Sequence, residues 1–375
     1  MTTTLEALRQ ASQLAFTASG EELAVGNAEG LPWAVAALAG RDVTVPLPVV
    51  EHFDGGLTAH VFRLRAPTGG GDWTLKRARA RPGVHNVDGQ TSFLNEVQRR
   101  ADLAALKRRA DTPGRWAFLV DTRYASFRQG VILSPWIDGA TIPGGGAADW
   151  DERRLAQVLF AACALWTEGF FEWDLCSGNI LDDGRQIRLF DFGYQYRFDP
   201  LRHFNSAGSG TDQPMFHPAE RFETRNYSGH LLKLARAHGE SVALAAFRRE
   251  KEIALESYRW MRATINERGA SPVVLAWLDG LVRDWAAELQ GSTEALYLAE
   301  QWRSHVLDLD DDLRGQSCTP MTLQRTDWLL RTLADHADTL RQRGALFWGD
   351  EHRPRDALLA DYTDKRQRAL QYQTP

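Results

Sequence analysis

Asp174, Asn179 and Asp191 are the residues of this 375-residue sequence whose types and spacing point most directly to chemistry. They fall in residues 172–193, EWDLCSGNILDDGRQIRLFDFG, with Asn179 five and Asp191 seventeen positions after Asp174. Within that stretch Ile180-Leu181 gives way to the turn signal Asp182-Asp183-Gly184, and the alternating run Ile187-Arg188-Leu189-Phe190 follows. The pattern predicts a short hairpin with Asn179 just before its first strand and Asp191 just after its second. Two hard oxygen donors at one end of a hairpin, beside the further carboxylate of Asp174, suit Mg2+ held on phosphates, because this ion takes few protein ligands and completes its shell with water and phosphate oxygens.

On these residues the chain resembles the protein-kinase superfamily, with Asp174 and Asn179 in the place of the catalytic loop and Asp191-Phe192-Gly193 in that of the DFG motif. The resemblance implies ATP and Mg2+ as cofactors, Asn179 and Asp191 as metal ligands at the nucleotide, and Asp174 as the group that accepts or orients the acceptor proton. It also implies a lysine on the third strand that bridges the nucleotide phosphates, for which Lys76 stands in DWTLKRA, and a glutamate on the following helix to steady it, for which Glu96 stands twenty residues on. A glycine-rich hairpin would cover the phosphates; aligned on Val61, only Gly56 keeps a glycine, while Asp54 and Ala59 fill the other two places. Trp136 falls where the hinge would bind adenine and is expected to stack on the base or to pack at the lobe junction.

The departures are as informative. Asp174 follows Glu172-Trp173 where eukaryotic-type kinases have His-Arg, so a phosphorylated activation loop loses its usual partner. Cys176 replaces a lysine two positions after the aspartate, and DLCSGN is similar to the loops of RIO-type and aminoglycoside-phosphotransferase-like kinases. Losing that lysine is expected either to lower the rate or to be made up by another cation such as Arg77, Arg79 or Lys233. Pro218-Ala219-Glu220 resembles the APE triplet, whose glutamate pairs with an arginine.

Elements must position these groups. Residues 1–44 read as a helical extension, with Leu5, Leu8, Leu14, Trp33, Val35 and Leu38 at weak helical spacing. From Val45, VPLPVVEHF, a turn at Asp54-Gly55-Gly56, LTAHVFRLRA and DWTLKRA read as a three-strand meander. Alternation along the third strand puts Thr74, Lys76 and Ala78 on one face. Phe93, Val97, Leu103 and Leu106 predict a helix, and WAFLVDTRYASF and GVILSPWIDG two more strands. Residues 150–168 read as a helix with Leu155, Val158, Leu159, Ala162 and Leu165 inward, and Ser206-Ala207-Gly208-Ser209-Gly210-Thr211 as a flexible loop. Beyond Tyr227 four helical runs follow, with Trp260, Trp277, Trp285, Trp302 and Trp328 expected in the core and LDLDDDL, spanning Asp308 to Asp312, as a solvated acidic turn. The expected fold is α+β and bilobal, protein-kinase-like, with a five-stranded antiparallel N-lobe carrying one helix and a mainly helical, divergent C-lobe. Its expected parts are an extension at 1–44, the N-lobe at 45–139, the catalytic part of the C-lobe at 140–226 and a divergent helical region at 227–375.

Composition narrows the classes. Hydrophobic residues at 43% and charged residues at 25% are ordinary for a globular chain. A net charge of -5 gives no general pull toward nucleic acid or anionic membrane, so neither is expected as a partner. Three cysteines, Cys163, Cys176 and Cys318, stand far apart with no CxxC pair, which favours a reducing cytoplasm over a disulfide or zinc framework, with delivery by a non-standard exporter left open. No signal peptide and no run long enough to span a bilayer is evident. The leading expectation is transfer of the γ-phosphoryl of ATP to a Ser/Thr hydroxyl of an unknown protein. The alternatives are a small-molecule hydroxyl, a pseudokinase acting as a binding module, and AMP transfer from the same nucleotide site.

Overall fold

The computed structural model describes residues 4–42, 46–53, 55–56, 58–67, 69–84, 86–208 and 216–374. Val45, Asp54 and residues 209–211 of the glycine-serine loop lie outside the described residues. The architecture is mixed α and β, with an antiparallel sheet and many helices. The chain divides into two compact units, one of residues 1–140 with 179–196, the other of residues 141–178 with 197–375.

In the first unit, helix α1 (Leu5–Ser19) precedes β1 (Ala24–Gly26), the short helix α2 (Val35–Leu38), β2 (Val49–Phe53), β3 (Ala59–Arg65), β4 (Asp72–Ala78), helix α3 (Val87–Arg108), β5 (Tyr124–Ser126) and β6 (Val131–Pro135). The strands form one antiparallel sheet in the order β1-β5-β6-β4-β3-β2. The sheet thus has six strands, not the expected five. The sixth is β1, from the segment read as purely helical; at three residues with one buried side chain, Val25, it is too short for alternation to show. Gly26 ends it at φ +76, where a Cβ would sit 2.2 Å from the Arg123 carbonyl oxygen. The run WAFLVDTRYASF is a strand only at its end: Trp116, Phe118 and Leu119 are buried, but there the backbone bonds the hairpin, with Leu189 N–H donating to Phe118 O at 2.8 Å and Val120 N–H to Leu189 O at 3.0 Å.

Period-two alternation gives this sheet two apolar faces. Leu64, Leu75, Tyr124, Val131 and Leu133 meet Trp33 and Leu38 on one. Ala59, Ala125 and Ile132 meet Phe93 and Val97 of α3 on the other. Lys76 is paired across the sheet with Ile132, so it projects toward α3. That helix begins at Asn86, whose side chain accepts from Gly89 N–H at 2.7 Å, and ends on Lys107 and Arg108, matching its dipole. Helix α1 overturns the expected apolar stripe: Leu5, Leu8 and Leu14 are exposed, and the buried contact is Gln13, 4% exposed, bonded to α3. Amide hydrogen bonds hold this helix where apolar burial was expected.

In the second unit, α4 (Glu152–Thr167) is capped by Asp151, which accepts from Arg154 N–H at 2.8 Å, and buries Leu155, Val158, Leu159, Ala162 and Leu165 as its spacing predicts. After α5 (Pro218–Phe222) the chain makes one π-helical turn over Glu223–Tyr227, then runs through α6 (Ser228–His238), α7 (Glu240–Glu267), α8 (Pro272–Glu288), α9 (Glu294–Gly315), α10 (Pro320–Gln342) and α11 (Arg355–Gln371). Helix α7 is the hub against which α4, α6 and α8 pack. A second core joins α9, α10 and α11 through Trp302, Leu309, Trp328, Leu329, Leu358 and Tyr362. Trp277 and Trp285 are buried too, whereas Trp260 is half-buried against the exposed Phe160.

LDLDDDL is not a turn. It is the last part of α9, where Val306, Leu309 and Leu313 keep helical spacing on the buried face while the aspartates take the others. At the heart of the unit, fully buried Lys251 contacts Glu223 and Glu300 and lies 3.5 Å from Glu250, while Arg303 reaches Glu223 at 2.5 Å. Among the described residues no helix is long and apolar enough to cross a membrane.

Candidate functional site

In the first unit Lys76, Glu96 and Asp191 bond directly. Lys76 Nζ donates to Glu96 Oε1 at 2.9 Å and to Asp191 Oδ2 at 2.8 Å. The side chains of Lys76 and Glu96 are about 5% and 4% exposed, and that of Asp191 is one-third exposed. Arg100, one helical turn after Glu96, closes the cluster from behind: it donates to Glu96 Oε1 at 2.7 and 3.1 Å, to Phe190 O at 2.9 Å and to the hydroxyls of Thr122 and Ser134. Two cations and two carboxylates leave no net charge. Burial works against the Lys76 ammonium, but Asp191 and Glu96 outweigh it and raise its pKa above the ordinary lysine value, against an opposing push from Arg100. Burial likewise pushes the Asp191 carboxyl up, yet Lys76, the Gly193 N–H and Arg100 together hold it below the usual carboxylate range.

Asn95, next to Glu96 on α3, ties the helix to the segment after the hairpin. Its amide NH2 is directed at Phe192 O, Gly193 O and Gln195 O at 3.2, 2.9 and 2.9 Å, and its Oδ1 accepts from Gln13 of α1 at 3.0 Å. Gly193 N–H donates to Asp191 Oδ1 at 3.1 Å, and Phe192 is fully buried. Neither Asn95 nor Arg100 carries a distinct signal in the sequence, although Arg100 lies one turn after Glu96 on the same face of α3.

The hairpin forms as read, Ile180–Asp182 pairing with Ile187–Leu189 and Leu189 standing opposite Ile180. That register puts Asn179, the last residue of a single 3-10 turn, and Asp191 at the same end. Among the described residues no group of three or more His, Cys, Asp or Glu forms a metal cluster. One carboxylate and one amide oxygen fit Mg2+, which needs no protein cage. Gly56 has a local reason for its identity, since a Cβ there would lie 2.5 Å from Ala59 O, and Arg79 donates to its carbonyl at 2.8 Å. Trp136 is engaged: the Arg63 guanidinium lies 4.4 Å over its ring, Phe53 stacks near-parallel at 6.0 Å, and its Nε1 donates to Asp138. Arg63 thus covers one face of this ring. A recess of about 310 Å³ lined by Lys107, Arg115, Trp116 and Arg188 includes none of the candidate residues.

In the second unit Asp174 follows the strand Phe170–Glu172, and its N–H donates to Glu172 Oε1 at 3.0 Å. The glutamate in the expected histidine's place is thus a brace for the loop. Arg225 Nε donates to Asp174 Oδ1 at 3.1 Å and Arg225 NH1 to Asp308 Oδ1 at 2.9 Å. Arg225 carries no signal in the sequence, because nothing in the spacing of ETRNY marks its partner 51 residues earlier. Arg77 instead bonds Leu38 O and Ala37 O, Arg79 bonds Gly56 O, and Lys233 bonds Pro143 O and Gly144 O. The arginine partner of Glu220 is its neighbour, Arg221, with Thr224 donating to the same carboxylate at 2.7 Å.

No family model and no curated protein matches the sequence. Among solved structures, two of the Mycobacterium tuberculosis PknI kinase domain are similar at 13% and 14% identity, with TM-scores of 0.32 and 0.31. Both cover 64% of this chain, and the matches take in 98% and 95% of those domains. Overlap that loose decides nothing about this chain.

Proposed function

We propose that this chain is an ATP- and Mg2+-dependent phosphotransferase that moves the γ-phosphoryl group to a hydroxyl. The observation that carries this reading is the Lys76 ammonium held between Glu96 and Asp191 at 2.9 and 2.8 Å: a buried cation kept charged and aimed at the carboxylate that the resemblance assigns to the metal. Lys76 offsets phosphate charge, Glu96 and Arg100 fix its position, and Asn179 and Asp191 hold the metal. When bound, Mg2+ supplies further neutralisation of the phosphate oxygens. Asp174 orients the acceptor hydroxyl and takes its proton as the new oxygen–phosphorus bond forms and the bond from the γ-phosphorus to the β,γ-bridging oxygen breaks, releasing ADP.

In this reading residues 45–139 act on the nucleotide with the hairpin, residues 140–226 carry the acceptor chemistry, and 1–44 and 227–375 are additions. A protein Ser/Thr hydroxyl is the leading acceptor, on the strength of Asp191-Phe192-Gly193 and Pro218-Ala219-Glu220. The test is incubation with Mg2+ and ATP labelled at the γ or the α position. Label transfer or ADP release from γ-labelled ATP, abolished by Asp191→Ala, is expected. Equal signal in that variant would falsify the assignment, α-label on protein would replace it with AMP transfer, and no ATP- and Mg2+-dependent signal at all would replace it with a binding module.

A further inference from the structure

We propose that Arg225 is a positioning residue for Asp174, anchored by Asp308. The inference rests on the phosphotransferase reading and names a further working part of the same site.

The guanidinium is a rigid planar fork of five N–H donors, so bonds from Nε to one carboxylate and from a terminal nitrogen to another fix the two acids relative to each other. Here the fork joins Asp174 Oδ1 at 3.1 Å to Asp308 Oδ1 at 2.9 Å. Asp308 also forms an ion pair through Oδ2 with the Arg325 guanidinium, 2.9 Å from Nε, without a hydrogen bond from that nitrogen. Arg325, 3% exposed, is bonded in turn to His305 Nδ1 at 2.8 Å and Thr224 O at 3.3 Å. The orientation of Asp174 is therefore tied through alternating charges to the buried interior of α9 and α10. An isolated exposed ion pair lacks such an anchor and fixes its partners only weakly.

The backbone carries the same sign. Arg225 sits in the π-helical turn Glu223–Tyr227, and single π turns within helices are frequent at functional sites. The next residue, Asn226, donates to Leu175 O at 3.4 Å, so the turn grips the loop both at the Asp174 side chain and at the following carbonyl. Asp174 and Asp308 outweigh burial and raise the Arg225 pKa above its ordinary value, so the charge is permanent.

The test uses the full chain with ATP and Mg2+, following ADP formation and the melting temperature. Arg225→Ala is expected to lower kcat by up to about 100-fold, the size of loss that misplacing a reacting group can cause, with KM for Mg·ATP unchanged. Arg225→Lys and added guanidinium ion are expected to restore part of that loss, and guanidinium is expected to leave Asp174→Ala inactive. Asp308→Asn, which removes the anchor without touching Asp174, is expected to lower kcat with the same unchanged KM. A kcat within twofold of wild type in Arg225→Ala, or a loss that guanidinium and lysine do not restore, overturns the role of Arg225 while Asp191-dependent turnover of the wild type keeps the phosphotransferase reading. No Asp191-dependent turnover in the wild type overturns both.

Discussion

Glu96 accepts from two cations at once, Lys76 and Arg100, with its side chain almost wholly out of water. Replacing its charge leaves both cations buried around a neutral amide, with Asp191 as the remaining carboxylate of the cluster. Breaking a buried ion pair from one side costs about 3–5 kcal/mol, so Glu96→Gln should lower unfolding free energy by about 3 kcal/mol and depress ATP turnover with it. Denaturant titration beside an ADP assay checks this; a variant as stable and as active as wild type would leave Glu96 no structural part. Order and spacing made Lys76, Glu96 and Asp191 readable as candidates. The resemblance also implied the Lys76–Glu96 pair; that Asp191 joins it was not readable, because 115 residues separate Lys76 from Asp191 and their meeting depends on how the hairpin joins the sheet.

At the scale of elements, α1 and the loop before α4 each make a prediction. Gln13 donates to Asn95 and accepts from Thr91 at 3.2 Å, while Arg9 of the same helix pairs with Asp88 at 2.9 Å and lies 3.6 Å over the Tyr196 ring. The helix therefore braces both α3 and the segment after Asp191. Truncating Gln13 leaves buried amide groups unpaired, so Gln13→Ala should cost about 1–3 kcal/mol in chemical denaturation and loosen Asn95 from Phe192 and Gly193, seen as faster amide exchange there. Unaltered exchange at residues 192–195 would show that α1 does not brace them. His230 of α6 accepts from Gly145 N–H at 2.8 Å, and burial, opposed by Asp149 and assisted by Lys233, pushes its pKa down to about 4. A depressed base binds its proton more readily unfolded, so this stabilisation is complete above about pH 6.5 and is lost as pH falls toward 4, on the order of 3 kcal/mol. His230→Asn should flatten that stretch of the stability–pH curve; an identical slope in the variant would remove His230 as its source.

At the scale of the whole chain, one charged cluster underlies the second unit. Lys251 contacts Glu223 of the π-helical turn and Glu300 of α9, lies over the Trp285 ring, and has Glu250 beside it. Burial keeps the Glu250 carboxyl well above the usual carboxylate range. Removing the ammonium strands carboxylates in an apolar interior, and Lys251→Met should destabilise by about 3–5 kcal/mol. Because Glu223 opens the turn that carries Arg225, the same variant should also loosen the tie to Asp174, so a loss of kcat larger than the folded fraction explains is expected at temperatures below unfolding. A fully stable variant would show that the acids simply take up protons.

The sequence by itself determined the elements whose signals are local. Strands β2, β3 and β4, helices α3 and α4 and the 180–189 hairpin follow from alternation, helical spacing and the Asp-Asp-Gly turn, all of which act within a few residues. Tertiary structure decided the rest. β1 became a strand only because β5 offered it an edge, α1 turned a glutamine inward because Asn95 and Thr91 could bond it, and the acidic run became helix because Val306, Leu309 and Leu313 had a core to enter. Arg225 is the sharpest case. A charged side chain carries no sign of its partner in the chain, since ion pairs are set by where folding puts the opposite charge. Asp174 was legible from its neighbours, and what holds it was not.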